Sequence, residues 1–262
     1  MTHVVHDELG VSHSWGQGPE VVFLSSPLAD PVSWSDPARG PLVDAGYRVT
    51  AFEHRCRGLD WRSAVSCIAR FVCTRPAPVA LVGWSQGAAL AQEVTLAAPR
   101  RVTCAVLLAT YGRQNEIDVV LQASWDLLAA GGTELDPLRL AMSLLTAFPP
   151  EQLAQDDFVA RMRSSQQEWA GRPERGRRRR SAGFTTSYQD RLRYLSALRV
   201  PCLVMGFGLD CDTYAARARE VAAAIKTATY LELPGLGHAA PISAAEQVWP
   251  PVIEFIQRHH HD

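Results

Sequence analysis

The chain has 262 residues, 47% of them hydrophobic, with 26 basic and 27 acidic side chains and a formal net charge of −1. So balanced a charge gives no overall field to draw the protein to nucleic acid or to an anionic membrane, and a small-molecule substrate is the expected partner. The length suits one large domain with an insertion, and no apolar run approaches the ~18 residues of a membrane span, so a cytoplasmic protein is expected.

In chain order, "EVVFLSS" (20–26), "YRVTAFEH" (47–54), "PVALVGWS" (78–85), "VTCAVLLAT" (102–110), "PCLVMGFG" (201–208) and "ATYLELPG" (228–235) read as strands. Near-continuous apolar runs of this length are expected of strands buried on both faces. Between and after them, "DPARGPLVDAG", "SAVSCIARFV", "QGAALAQEVTLAAP", "YAARAREVAAAI" and "SAAEQVWPPVIEFIQRH" have helical apolar spacing. The alternation predicts an α/β fold, a mostly parallel sheet flanked by helices, with function at the carboxyl ends of the strands.

The alternation stops over residues 111–198, where four segments in succession look helical: "VVLQASWDLLAAGG", "DPLRLAMSLLTAF", "PEQLAQDDFVARMRSSQQEWA" and "YQDRLRYLSAL". This segment is expected to be a helical cap on a core formed by residues 1–110 and 199–262. Trp125, Met142, Trp169 and Tyr188 are candidates either for its core or for a pocket lining. The arginine-rich stretch 171–183 reads as a solvated loop, and His259, His260 and His261 as a frayed hydrophilic end. Six cysteines are scattered without a C-x-x-C pair, so neither a zinc site nor a disulfide framework is suggested, and no metal or cofactor is expected.

Gly83-Trp84-Ser85-Gln86-Gly87 has the form G-x-S-x-G and lies where a buried strand meets an alanine-rich helix. In that setting the pattern is a nucleophile elbow: a strained turn holds the serine hydroxyl above the sheet, beside the positive end of the helix. A serine hydroxyl needs a base, and the base an orienting acid. His238 follows the last strand in "PGLGHAAP" and Asp210 follows the strand before it in "MGFGLDCD". The order Ser85, Asp210, His238 is the one such an elbow calls for.

With these residues in place, nearly the whole chain resembles the α/β-hydrolase superfamily. "EVVFLSSPLADPVSW" looks like the segment holding the first oxyanion donor, "FEHRCRG" like the D-x-R-G-x-G turn, and "PCLVMGFGLD" and "GLGH" like the acid and histidine loops. The opening segment is similar to that of the enol-lactonase subgroup. The resemblance implies Ser85 as nucleophile, His238 as base and acid, Asp210 as orienting carboxylate with Asp212 as its substitute if the register slips, and Gln86 N–H as an oxyanion donor. It departs from the pattern at two places. Pro27, which has no N–H, stands where the first donor belongs, leaving Leu28 N–H or the hydroxyl of Ser25 or Ser26 for that role. Cys56 stands where the turn usually has glycine.

The expected function is therefore hydrolysis or acyl transfer on an ester, lactone or thioester of a small to medium, largely apolar metabolite. The alternative is non-hydrolytic chemistry on the same fold, by a cyclase, lyase or C–C bond-cleaving enzyme of bacterial specialised metabolism. A binding protein with a vestigial site fits less well, since every member of the triad is present.

Overall fold

In a computed structural model the structure describes residues 3–6, 8–24, 31–54, 60–170 and 190–261. Among them one sheet has eight strands: β1 (His3–His6), β2 (Gly10–Trp15), β3 (Glu20–Leu24), β4 (Arg48–His54), β5 (Val79–Trp84), β6 (Val102–Leu108), β7 (Cys202–Phe207) and β8 (Ala228–Leu233). Their order is β1-β2-β4-β3-β5-β6-β7-β8. From β4 to β8 every pairing is parallel, whereas β1 and β2 add an antiparallel edge.

The six apolar runs are the six parallel strands, and all residues of β5 and β7 are buried. The antiparallel pair is an addition to the expected architecture. All four residues of β1 are exposed, and β2 mixes serine and histidine with its apolar positions. Strands wet on one face lack the continuous apolar signal of buried ones.

Alternate strand residues feed two core layers. Val22, Leu24 and Leu81 pack with Ile68, Phe71, Leu90, Val94 and Val221. These come from α2 (Trp61–Cys73), α3 (Gln86–Ala97) and α9 (Ala215–Ala224). Val21, Phe23 and Val82 face Leu42, Trp249, Val252 and Ile256 on the other side, contributed by α1 (Pro31–Asp44) and α10 (Ala245–His259). Each such large side chain adds about 1.5–3 kcal/mol over leaving it in water. The carboxyl end is not frayed. His260 is buried, accepts or donates at Nδ1 to Thr103 Oγ1 at 2.9 Å and stacks on Tyr47.

Between β6 and β7 lie α4 (Glu116–Ala130), α5 (Asp136–Ala147), α6 (Pro150–Leu153), α7 (Asp156–Ala170) and α8 (Leu192–Leu195). A capping box starts α4: Asp118 N donates to Asn115 Oδ1 at 3.1 Å and Asn115 N donates to Asp118 Oδ2 at 2.8 Å. The stretch 150–170 forms two helices rather than one, and 188–198 keeps a single helical turn among its described residues. The segment's ends meet, because Arg191 N donates to Gly112 O at 2.8 Å. Arg191 also forks onto Glu93 of α3 with two bonds of 2.7 Å. No helix among the described residues is long and apolar enough to cross a membrane.

Candidate active site

Ser85 has φ 58° and ψ −124°, a left-handed conformation that side chains avoid. The turn is held from both sides: Ser85 N donates to Leu108 O at 2.9 Å, while its own carbonyl accepts from Ala88 N and Ala89 N. Gly83 is required for space. A Cβ there would lie 2.4 Å from Gly87 O and 2.5 Å from Ala88 Cα, both backbone atoms of the turn and helix. The Ser85 side chain caps no helix N–H, so its hydroxyl is left for other chemistry. Gln86 opens α3, placing its N–H at the positive end of that helix.

The loops after β7 and β8 extend the sheet's hydrogen bonding beyond the strands: Gly208 N donates to Leu233 O at 3.0 Å and Leu209 N to Leu236 O at 2.9 Å. Asp210 follows immediately. Its Oδ1 accepts from Asp212 N at 2.8 Å and Thr213 N at 2.7 Å, which aims Oδ2 at His238 Nδ1, 2.9 Å away. Asp210 and His238 are both buried. The His238 backbone is fixed as well, since Trp84 Nε1 donates to its carbonyl at 3.1 Å and the next residue, Ala239, donates to Ala147 O at the end of α5.

Asp212 is not an alternative to Asp210 but a second carboxylate on the same ring. Its Oδ2 lies 3.3 Å from His238 Nε2, the nitrogen opposite the one that Asp210 holds. Among the described residues, no hydrogen bond joins that nitrogen to Ser85. Burial alone would lower the His238 pKa, but the carboxylates of Asp210 and Asp212 outweigh it and push the value up to about 9. Two carboxylates near the ring, one at each nitrogen, thus favour the charged imidazole. Burial raises the Asp212 carboxyl above its ordinary range, against the pull of His238; Asp210 and Asp118 add to the rise and Arg217 opposes it. Protein atoms crowd this carboxylate, although the side chain keeps 32% of its surface open.

A further cluster lies beside the acid loop. Arg217 of α9 donates through Nη1 to Asp118 Oδ1 of α4 at 2.6 Å and through Nη2 to the Arg113 carbonyl, with its guanidinium 4.8 Å from the Tyr111 ring centre. This pair joins residues 99 positions apart in the chain, and no local motif announces it.

Ser26 and Leu28, the other oxyanion candidates, lie outside the described residues, as do Ser25, Pro27, Cys56, Tyr188 and the arginine-rich stretch 171–183. The Trp169 side chain also lies outside them. Trp125 and Met142 are half-buried on α4 and α5, neither fully in a core nor on the surface. No group of three or more His, Cys, Asp or Glu side chains that could hold a metal ion occurs among the described residues.

A sequence profile of the alpha/beta hydrolase family matches residues 10–249. The chain is 29% identical over 249 residues to a putative non-heme bromoperoxidase, BpoC, of Mycobacterium tuberculosis, covering 92% of this chain and 94% of that one. The crystal structure of BpoC from strain H37Rv is similar over 98% of both chains, with a TM-score of 0.86 and 27% identity. A putative carbamate hydrolase, RutD, of Variovorax paradoxus is 26% identical over 254 residues, 91% of this chain and 92% of that one. An enol-lactonase from Burkholderia xenovorans LB400 shares the fold, with a TM-score of 0.77 and 19% identity over 95% of this chain and 97% of its own.

Proposed function

Because the chain belongs to the alpha/beta hydrolase family, we propose that it is a serine-dependent hydrolase acting on an ester, lactone or thioester through Ser85, His238 and Asp210. The observation that carries this reading is the strained backbone of Ser85 at the end of β5, with the buried His238–Asp210 pair on loops at the same carboxyl end of the parallel strands. Backbone strain of this kind costs about 1–3 kcal/mol and is retained where the surroundings hold it for function.

In the reaction Ser85 Oγ attacks the substrate carbonyl carbon while its proton passes to Nε2 of a neutral His238. The carbonyl oxygen takes up the negative charge, facing Gln86 N–H and the amino end of α3; a donor from Ser26 or Leu28 would complete the hole. Collapse breaks the bond to the leaving group, which takes the proton from Nε2. Water, deprotonated by the same nitrogen, then attacks the acyl carbon; the acid departs and Ser85 regains its proton. Throughout, Asp210 holds the ring through Nδ1–H and stabilises the imidazolium formed in each half.

The inserted helices touch this machinery at Ala147, which accepts from the residue after His238. They would cover the carboxyl ends of the strands as a cap and confine the substrate to a small or medium metabolite. A soluble cytoplasmic enzyme of bacterial metabolism fits the reading. A panel of p-nitrophenyl esters and lactones tests it: turnover abolished in Ser85→Ala supports it. Turnover that survives that change, or appears only for a non-hydrolytic reaction without an adduct on Ser85, replaces it with the cyclase, lyase or C–C cleaving alternative.

A further inference from the structure

We propose that Asp212 is a specificity residue, whose carboxylate rests on His238 Nε2 and is drawn off it by a hydrogen-bond donor, a hydroxyl or an ammonium, carried by the substrate. This rests on the serine hydrolase reading and narrows its substrate class.

The inference begins with a conflict of geometry. General-base catalysis needs a lone pair on Nε2 aimed at the Ser85 hydroxyl. In the structure that nitrogen lies 3.3 Å from Asp212 Oδ2, an ion-pair contact without hydrogen-bond geometry, while Nδ1 is hydrogen-bonded to Asp210 at 2.9 Å. A carboxylate this close to each ring nitrogen favours the doubly protonated ring, which has no lone pair to offer. The ring therefore has to lose the Asp212 contact before Ser85 can use it.

Asp210 cannot release the ring, because its two backbone donors and the buried Nδ1 bond fix it. Asp212 can: its side chain is partly open, and among the described residues its carboxylate meets His238 only as an ion pair. Leaving an imidazolium is costly in so crowded a place unless another donor receives the charge. The charged and titratable groups facing it are Asp210 on its own loop, Asp118 from α4, Arg217 from α9 and Tyr111 after β6. The first two repel it. Arg217 is already committed to Asp118 and the Arg113 carbonyl. A substrate donor seated beside the base would take the carboxylate and, in the same movement, let Nε2 shed its proton to solvent and turn to Ser85.

The test compares p-nitrophenyl hexanoate, 3-hydroxyhexanoate and 6-aminohexanoate as substrates of the intact wild-type protein and of Asp212→Asn, Asp212→Ala and Tyr111→Phe. Wild type is expected to favour at least one donor-bearing ester over the plain one by about tenfold or more in kcat/KM. Both Asp212 variants should level that preference while raising activity on the plain ester near neutral pH, and should move the acid limb of its pH profile down by about one unit or more. Tyr111→Phe should keep the preference. Hydrolysis that depends on Ser85 but is blind to donors, or a preference intact in Asp212→Asn, overturns the proposal and leaves the serine hydrolase reading standing. A preference lost in Tyr111→Phe yet kept in Asp212→Asn moves the role to Tyr111 and also overturns it. No hydrolysis of any ester by the wild type sinks both.

Discussion

The indole of Trp84 donates from Nε1 to the backbone carbonyl of His238 at 3.1 Å, so the residue before Ser85 also fixes the backbone of the proposed base. Trp84 is 1% exposed and the bond is buried. Trp84→Phe removes the donor and leaves a buried carbonyl unpaired, a loss of about 1–3 kcal/mol. Thermal denaturation should show a fall of roughly 3–10 °C for a chain of this size. Steady-state kinetics should show kcat reduced more than KM is changed if the displaced His238 is the base, as proposed, and not a binding surface. An unaltered kcat in a destabilised protein would restrict Trp84 to packing.

Asp210 and Asp212 give separable expectations. Asp210→Asn presents an amide N–H to Nδ1 and forces the wrong tautomer, so turnover should fall by about 10³–10⁴ with the fold intact. Asp212→Asn should instead raise turnover of simple esters near neutral pH, since it leaves the Nδ1 bond untouched and takes a carboxylate off Nε2. Initial rates on one activated ester decide between them. A larger loss at Asp212 would exchange the two roles.

The acid limb of the pH profile follows from the same pair. With His238 held up to about 9, the neutral base becomes populated only as pH approaches that value. For a substrate without a donor group, kcat/KM should climb from pH 7 to 9 rather than level off above the ordinary imidazole value of about 6.5. Stability should run the opposite way. A folded-state pKa above the unfolded one contributes stability in full below about 6.5, and that contribution is lost as pH rises through 9. The melting temperature of the wild type should therefore fall more steeply between pH 7 and 10 than that of His238→Gln. Parallel curves would contradict a protonated resting imidazole.

Arg217 and Asp118 join α9 to α4, with side chains 8% and 14% exposed. Removing one member of a buried pair leaves its partner's charge uncompensated, at a cost of about 3–5 kcal/mol. Arg217→Met should lower the melting temperature by roughly 6–20 °C. The double change with Asp118→Asn, which removes the charge but keeps an oxygen for the Asn115 N–H, should recover much of the loss, since no lone charge remains buried. A double variant as unstable as the single one would mean that the contacts of Arg217 with Tyr111 and the Arg113 carbonyl matter more than the pair.

The parallel strands were readable because strands buried on both faces are written in apolar residues alone, as in β5 and β7. The β1–β2 edge was not, since His3–His6 is exposed throughout and carries no burial signal. At the site, Ser85, Asp210 and His238 stood out because each follows a strand the sequence makes visible. Asp212 was legible only as a rival to Asp210. Its place on the second ring nitrogen depends on a turn closed by its own N–H on Asp210 Oδ1, which spacing does not reveal. The link between Arg217 and Asp118 is farther still from sequence reading, because tertiary packing alone brings those positions together.

The central claim is that Ser85 forms a covalent bond with substrate. Rapid quenching of the wild type with p-nitrophenyl hexanoate at pH 9, followed by peptide mass mapping, measures this directly. The account predicts one hexanoyl group on the peptide containing Ser85, formed with a burst of p-nitrophenol and absent from Ser85→Ala. Steady turnover without that adduct, undiminished in Ser85→Ala, would contradict it.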